Sequence, residues 1–208
     1  MVGKKPSLIR VAVVVGLVMV ACLVFIQPFQ KPPRRVQMAA PAAAPPSPVR
    51  PSGLVGVDST ALFAHIRGTK AKGVVVNAWA SWCASCKGDF PVLLGLEKTF
   101  GESIELAFVS VDEPETEPEA VEMLRGFGAK LPSFIATEPL ESFKPAMNPK
   151  WPGMLPATFL FDRDAKLRYF WGGPVLETDL VPLLKRYLAG EHIDGEANFA
   201  LAPGAVTR

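Results

Sequence analysis

The chain has 208 residues, of which 49% are hydrophobic and 21 are proline, and it carries a net charge of only +2. That sum averages two unlike parts: residues 1–56 hold seven basic residues and no acid, leaving fifteen basic against twenty acidic residues in the remainder, a net −5. An acidic remainder with no basic stripe interleaved by aromatics excludes nucleic acid as a partner class, and the basic end reads instead as a membrane flank.

Residues 11–26 contain no charge, and Leu8 and Ile9 extend the apolar run past Arg10. Nineteen residues at about 1.5 Å each span roughly 28 Å, close to the bilayer core, and Arg10 can snorkel to the interface. A cleaved leader would have a shorter apolar region, with a small-residue cleavage site soon after it. Here Gln27-Pro28-Phe29 follows, so residues 1–27 are expected to be a short cytoplasmic tail and a single-pass anchor through residues 8–26. Met19-Val20-Ala21-Cys22 has some likeness to a lipoprotein cleavage box. Apolar residues continue beyond Cys22, however, and the plainer reading is a cysteine within the membrane segment. Flanking charges are balanced, so orientation rests on the ease with which long domains translocate, which places the C-terminal part outside the cytoplasm.

Residues 28–56 are a Pro/Ala-rich linker with eight prolines between 28 and 52, a composition that makes an extended spacer and buries no core. The folded domain is expected over 57–190. Asp58-Ser59-Thr60 caps a helix ending near Gly68. Residues 73–79 read as a buried central strand, β-branched and nearly continuous. Residues 84–99 form a helix with Pro91 as its kink, 104–111 a second buried strand, and 117–127 an amphipathic helix. Residues 157–161 and 166–171 are strands joined by Asp162-Arg163-Asp164-Ala165, a hairpin signal, and 176–188 is a closing helix. Residues 191–208 are expected to be a loosely attached tail. The order predicts a mixed α/β fold, a central sheet flanked by helices.

Of three cysteines, Cys22 lies in the apolar run, so the exported part has one pair, Cys83-Ala84-Ser85-Cys86. A disulfide closing so short a loop would constrain the unfolded chain by only about 2 kcal/mol, which favours redox chemistry over a structural staple. The pair follows a strand and opens a helix. Unpaired amides and the positive dipole end there stabilise a thiolate on Cys83, while Cys86, three residues on, faces inward to resolve a mixed disulfide. Zinc wants four ligands, and the only histidines, His65 and His192, have no ligand spacing. No metal site or cofactor is expected, although soft thiolates would favour transient Cu(I).

Asn77-Ala78-Trp79-Ala80-Ser81-Trp82-Cys83-Ala84-Ser85-Cys86-Lys87 resembles the active-site stretch of the TlpA/ResA-type thioredoxin-like family, which includes the CcmG/DsbE reductases. Leu155-Pro156-Ala157-Thr158-Phe159-Leu160-Phe161-Asp162 is similar to that family's second signature. The likeness covers roughly residues 57–190. It implies a thioredoxin-like fold in which Cys83 attacks, Cys86 resolves, and Pro156 is a cis-proline lying against the pair; read alone, Pro156 is equally a turn proline before a strand. Asn77 stands where thioredoxin has a buried acid. The family's carboxylate three residues after the second cysteine falls on Asp89, on the same helix face as Cys86 and compatible with accepting its proton; the plainer reading is a solvated charge. Trp79 reads as core and Trp82 as a shield for the disulfide. Ala165 replaces the family's hairpin glycine. Residues 112–153 match its characteristic insertion, with Trp151 read as loop packing.

The resemblance implies a membrane-anchored thiol–disulfide oxidoreductase in a bacterial inner membrane, its catalytic domain facing the periplasm or cell exterior. It would reduce disulfides of exported proteins in cytochrome c maturation or copper-site assembly and be recharged by a membrane electron donor. A disulfide-forming oxidase and a non-catalytic copper-delivery or binding module are the competing readings.

Overall fold

The structure, a computed structural model, describes residues 53–130 and 133–198. The expected anchor over 8–26 and nearly all of the linker lie outside the described residues. No helix among the described residues is long and apolar enough to cross a membrane.

The elements run β1 (Leu54–Val57), α1 (Ser59–Gly68), β2 (Gly73–Trp79), α2 (Asp89–Phe100), β3 (Ile104–Ser110), α3 (Glu117–Phe127), β4 (Ser133–Ala136), α4 (Leu140–Met147), β5 (Ala157–Asp162), β6 (Leu167–Gly172), α5 (Glu177–Leu188) and β7 (Gly195–Asn198). They build a seven-stranded mixed sheet in the order β1-β4-β3-β2-β5-β6-β7. β2 is buried along its whole length, with β3 parallel on one side and β5 antiparallel on the other. That position suits a β-branched run with no polar alternation. The antiparallel β5–β6 hairpin and the parallel β7 extend the sheet beyond it.

Alternation along β2 divides the core in two. Val75 and Trp79 point to the face covered by α2, α3 and α5, where Phe90, Leu93, Leu124 and Leu184 close over them. Val74, Val76 and Ala78 point to the other face, covered by α1, α4 and Trp151. Gly73 is where the closing helix meets the sheet most tightly. A Cβ there would lie 2.7 Å from a Tyr187 ring carbon and 3.1 Å from the Phe161 carbonyl oxygen, and the Tyr187 hydroxyl donates to the Lys72 carbonyl at 2.8 Å.

Asp58 caps α1 as expected, its carboxylate accepting from the Ala61 amide at 2.7 Å. α3 ends on Gly128 at φ +71°, the left-handed conformation that suits glycine, with its amide returned to the Leu124 and Arg125 carbonyls. Three expectations are corrected. Pro91 is not a kink: a 3₁₀ turn over Ser85–Gly88 precedes α2, and Pro91 falls in the first turn of that helix, where an amide has no intrahelical acceptor to lose. Order does not stop at residue 190, because Ile193 is buried and β7 pairs with β6 from Gly195. It also begins before residue 57, with β1 pairing β4 across the sheet. The insertion after β3 supplies α3, β4 and α4, and Trp151 packs edge-on against Phe159 while its Nε1 donates to the Met154 carbonyl.

Candidate active site

The Cys83-Ala84-Ser85-Cys86 turn sits where β2 ends and the 3₁₀ turn begins, so its start is held by the sheet and its end by α2. The Cys83 amide donates to the Ala80 carbonyl at 3.1 Å and the Cys86 amide to the Cys83 carbonyl at 3.2 Å. The two cysteines are joined by a disulfide, with Cα atoms 5.4 Å apart. Cys83 retains 7% exposure and Cys86 none, so one sulfur lies near the surface and the other behind it. The Cys83 sulfur accepts from the Cys86 amide at 3.3 Å, and the Ser85 hydroxyl lies 3.5 Å from it. Donors converging on a sulfur favour its thiolate once the bond is opened.

A second network anchors the turn from below. Asp112, just past β3, is buried; it accepts from the Ser81 amide at 2.8 Å, the Ser81 hydroxyl at 2.5 Å and the Ser110 hydroxyl at 2.7 Å. The Val111 amide donates to the Trp79 carbonyl at 2.9 Å. The residues leading into Cys83 are thus tied to β3 by a carboxylate 31 positions away. No local signal marks Asp112 in the sequence, because the contact comes from the parallel register of β2 and β3.

Asp89 is not a solvated charge. It is 1% exposed, and its Oδ1 accepts from the Val175 amide at 3.1 Å while Oδ2 has no hydrogen-bond partner. Burial pushes its carboxyl from the ordinary 3.8 up to about 7, against the opposing pull of the Val175 amide and the Asn77 side chain. Strand alternation puts Asn77 between Val75 and Trp79 on the same face, and its Nδ2 donates at 2.9 Å to Thr158, its cross-strand partner on β5. Asn77, Thr158 and Asp89 therefore form a polar seam in an otherwise apolar layer. The Asn77–Thr158 contact depends on strand register and was not readable from either residue alone.

Pro156 stands at the start of β5, and the Leu155–Pro156 peptide bond is cis. The Ser85 hydroxyl lies 3.5 Å from the Leu155 carbonyl, which joins the cysteine turn to this loop. The Gly173 amide donates to the Pro156 carbonyl at 2.9 Å, so the loop after β6, which carries Val175, and the proline loop converge at one end of the sheet. Trp79 is buried, whereas Trp82 is 63% exposed and presents most of its ring to solvent next to Cys83. The histidines are engaged elsewhere, His65 with Glu105 and His192 with Asp194. Among the described residues no three His, Cys, Asp or Glu side chains gather into a group that could hold a metal.

Residues 59–170 match the AhpC/TSA family. The thiol-disulfide oxidoreductase ResA of Geobacillus thermodenitrificans is 28% identical over 112 residues, covering 53% of this chain and 60% of that protein. The thiol:disulfide interchange protein DsbE of Allochromatium vinosum is 28% identical over 123 residues, covering 56% of this chain and 62% of that protein. The match thus spans about three fifths of these curated relatives. Among solved structures, a thioredoxin-related protein from Neisseria meningitidis serogroup B is similar with a TM-score of 0.50 at 20% identity, over 60% of this chain and 90% of that one, a likeness of fold alone.

Proposed function

This chain belongs to the AhpC/TSA family, within its ResA- and DsbE-like thioredoxin-like proteins, and on that footing we propose that it is a membrane-anchored, exported thiol–disulfide oxidoreductase that reduces disulfides in partner proteins. The observation that carries this reading is the layered pair: a sulfur at the surface with donors aimed at it and its partner sulfur fully buried, with the buried carboxyl of Asp89 three residues further along the chain.

In the forward direction the Cys83 thiolate attacks one sulfur of the partner's disulfide. A Cys83–partner bond forms, the partner's bond breaks, and its other sulfur leaves as a thiolate that takes up a proton. Asp89, as the carboxylate, accepts the proton of Cys86, and the Cys86 thiolate attacks the Cys83 sulfur. The intramolecular disulfide reforms, and the partner's second sulfur is released to be protonated. A carboxyl with pKa near 7 is suited to such a transfer at neutral pH. Two electrons and two protons from a membrane donor return the pair to the dithiol. Pro156 and Leu155 border the site on the side from which a partner segment would approach. The nineteen-residue segment 8–26, apolar apart from Arg10 near its start, supports tethering in a bacterial inner membrane, with the domain on the periplasmic or outer side. Apocytochrome c or a copper-site protein would be a partner of the right kind.

Insulin disulfide reduction by the full chain tests the chemistry: the wild type should be active and Cys83→Ser inactive, and an inert wild type would end this reading. Cys86→Ser in cells should accumulate a mixed disulfide that identifies the partner. A reduction potential below about −230 mV agrees with a reductant, whereas one near −120 mV would reverse the direction.

A further inference from the structure

Trp151 stands in the segment that joins α4 to β5, and that segment is wound on itself. The Asn148 amide donates to the Lys144 carbonyl at the end of α4, and the Trp151 amide returns to the Asn148 carbonyl at 2.9 Å. The Asn148 side-chain oxygen accepts from the Lys150 amide, also at 2.9 Å. The indole of Trp151 is 2% exposed, sunk in the apolar layer with its ring edge-on to Phe159. A buried tryptophan need do no more than fill space. This one also directs its single N–H at 2.8 Å to the Met154 carbonyl, two residues short of Pro156.

That bond decides which way the next peptide faces. Leu155 precedes a proline, so its backbone is confined to the extended region, where successive carbonyls point to different sides of the chain. The Met154 carbonyl is drawn inward to the indole. The Leu155 carbonyl therefore turns away from it, and lies 3.5 Å from the Ser85 hydroxyl in the cysteine turn. We propose that Trp151 is a positioning residue for partner binding: anchored in the apolar layer, it fixes the rotation of the Met154–Leu155 backbone and so presents the Leu155 carbonyl beside the cysteine pair, as an acceptor for a backbone amide of an extended partner segment. The inference rests on the disulfide-exchange reading above and adds to it the side chain that shapes the recognition edge. Both cysteines belong to the other layer of the core, so Trp151 acts on how tightly a polypeptide is held and not on the exchange of sulfurs.

The test follows the full chain in detergent, recharged by dithiothreitol, as it reduces a dye-quenched peptide closed by one disulfide, over the uncatalysed rate. Trp151→Phe keeps a ring and loses the donor. Replacing Trp151 by its benzothienyl analogue, with sulfur in place of the N–H, keeps the shape of the indole as well. In both, KM should rise about fivefold with kcat unchanged, the mark of a lost binding contact. The pH midpoint of Cys83 alkylation by iodoacetamide should stay at its wild-type value. Phe159→Leu thins the same apolar layer while leaving the Trp151 N–H its acceptor, and should keep the wild-type KM. An unchanged KM in the analogue-bearing protein, a fall in kcat in place of the rise, or an equal rise in Phe159→Leu overturns the proposal. If the wild type reduces the peptide in any of these cases, the exchange reading stands without it. A wild type that leaves the peptide intact removes both.

Discussion

The two faces of the sheet are built on opposite terms. Towards α1 and α4, the strand positions Val74, Val76, Ala78, Phe159, Phe161 and Phe170 are all apolar, and aromatic rings fill the layer. Towards α2, α3 and α5, the same strands carry Asn77 and Thr158, the 3₁₀ turn carries Cys86 and α2 carries Asp89. Asn77 Oδ1 and Asp89 Oδ2 are buried there without a hydrogen-bond partner, an arrangement that costs stability and is tolerated where chemistry needs it. One face holds the domain together; the other gives up some of that cohesion to bury Asn77 and Asp89.

That contrast can be broken from either side. Phe159→Ala on the apolar face should cost about 4 kcal/mol in urea unfolding and leave the pH midpoint of Cys83 unmoved; a shifted midpoint would show that the faces are not independent. Asp89→Asn should do the reverse. The folded-state pKa of Asp89 is raised, so its neutral form supports the fold below about pH 4 and that support is lost as pH rises through about 7. The variant should therefore be more stable than the wild type by roughly 3 kcal/mol at pH 8, the gap closing towards pH 4. Its exchange rate should fall about a hundredfold and lose its pH dependence near 7. A wild type equally stable at pH 4 and 8 would remove Asp89 from this role. Asp112→Ala should cost about 2 kcal/mol by stranding the Ser81 amide and hydroxyl, and should slow exchange by loosening the approach to Cys83; unaltered rates would make Asp112 purely structural. The smallest effect belongs to the hairpin far from the chemistry. Ala165 sits at φ +59°, so Ala165→Gly should stabilise by about 1 kcal/mol with no change in exchange.

Sequence and structure agree where signals are local and dense. β2 and α3 have the bounds their patterns predict, since one is a continuous β-branched run and the other an amphipathic stretch ended by glycine. β1, β4 and β7 were not foreseen: each has four residues, and each exists only through pairing with a strand distant in sequence. α4 was hidden by Pro145 inside it, which reads as a breaker although tertiary packing of Phe143 and Met147 holds the helix. The same division runs through the site. The cysteine pair is a local motif, whereas Asp89 is picked out by the family resemblance, its residue type and spacing alone reading as a solvated charge. Asn77 with Thr158 and Ser81 with Asp112 meet only through strand register, and Ser85 reaches Leu155 across 70 residues.

Both outermost strands, β1 and β7, are only four residues long. A protein that meets partly unfolded chains risks collecting them by edge-to-edge strand addition, the route by which aggregates begin. Borders this short offer few free amides and carbonyls to template such growth. On the exchange reading proposed above, a visiting polypeptide would be left with the cysteine turn as its point of attachment, and a covalent contact that the neighbouring sulfur can sever is one the visitor could also leave.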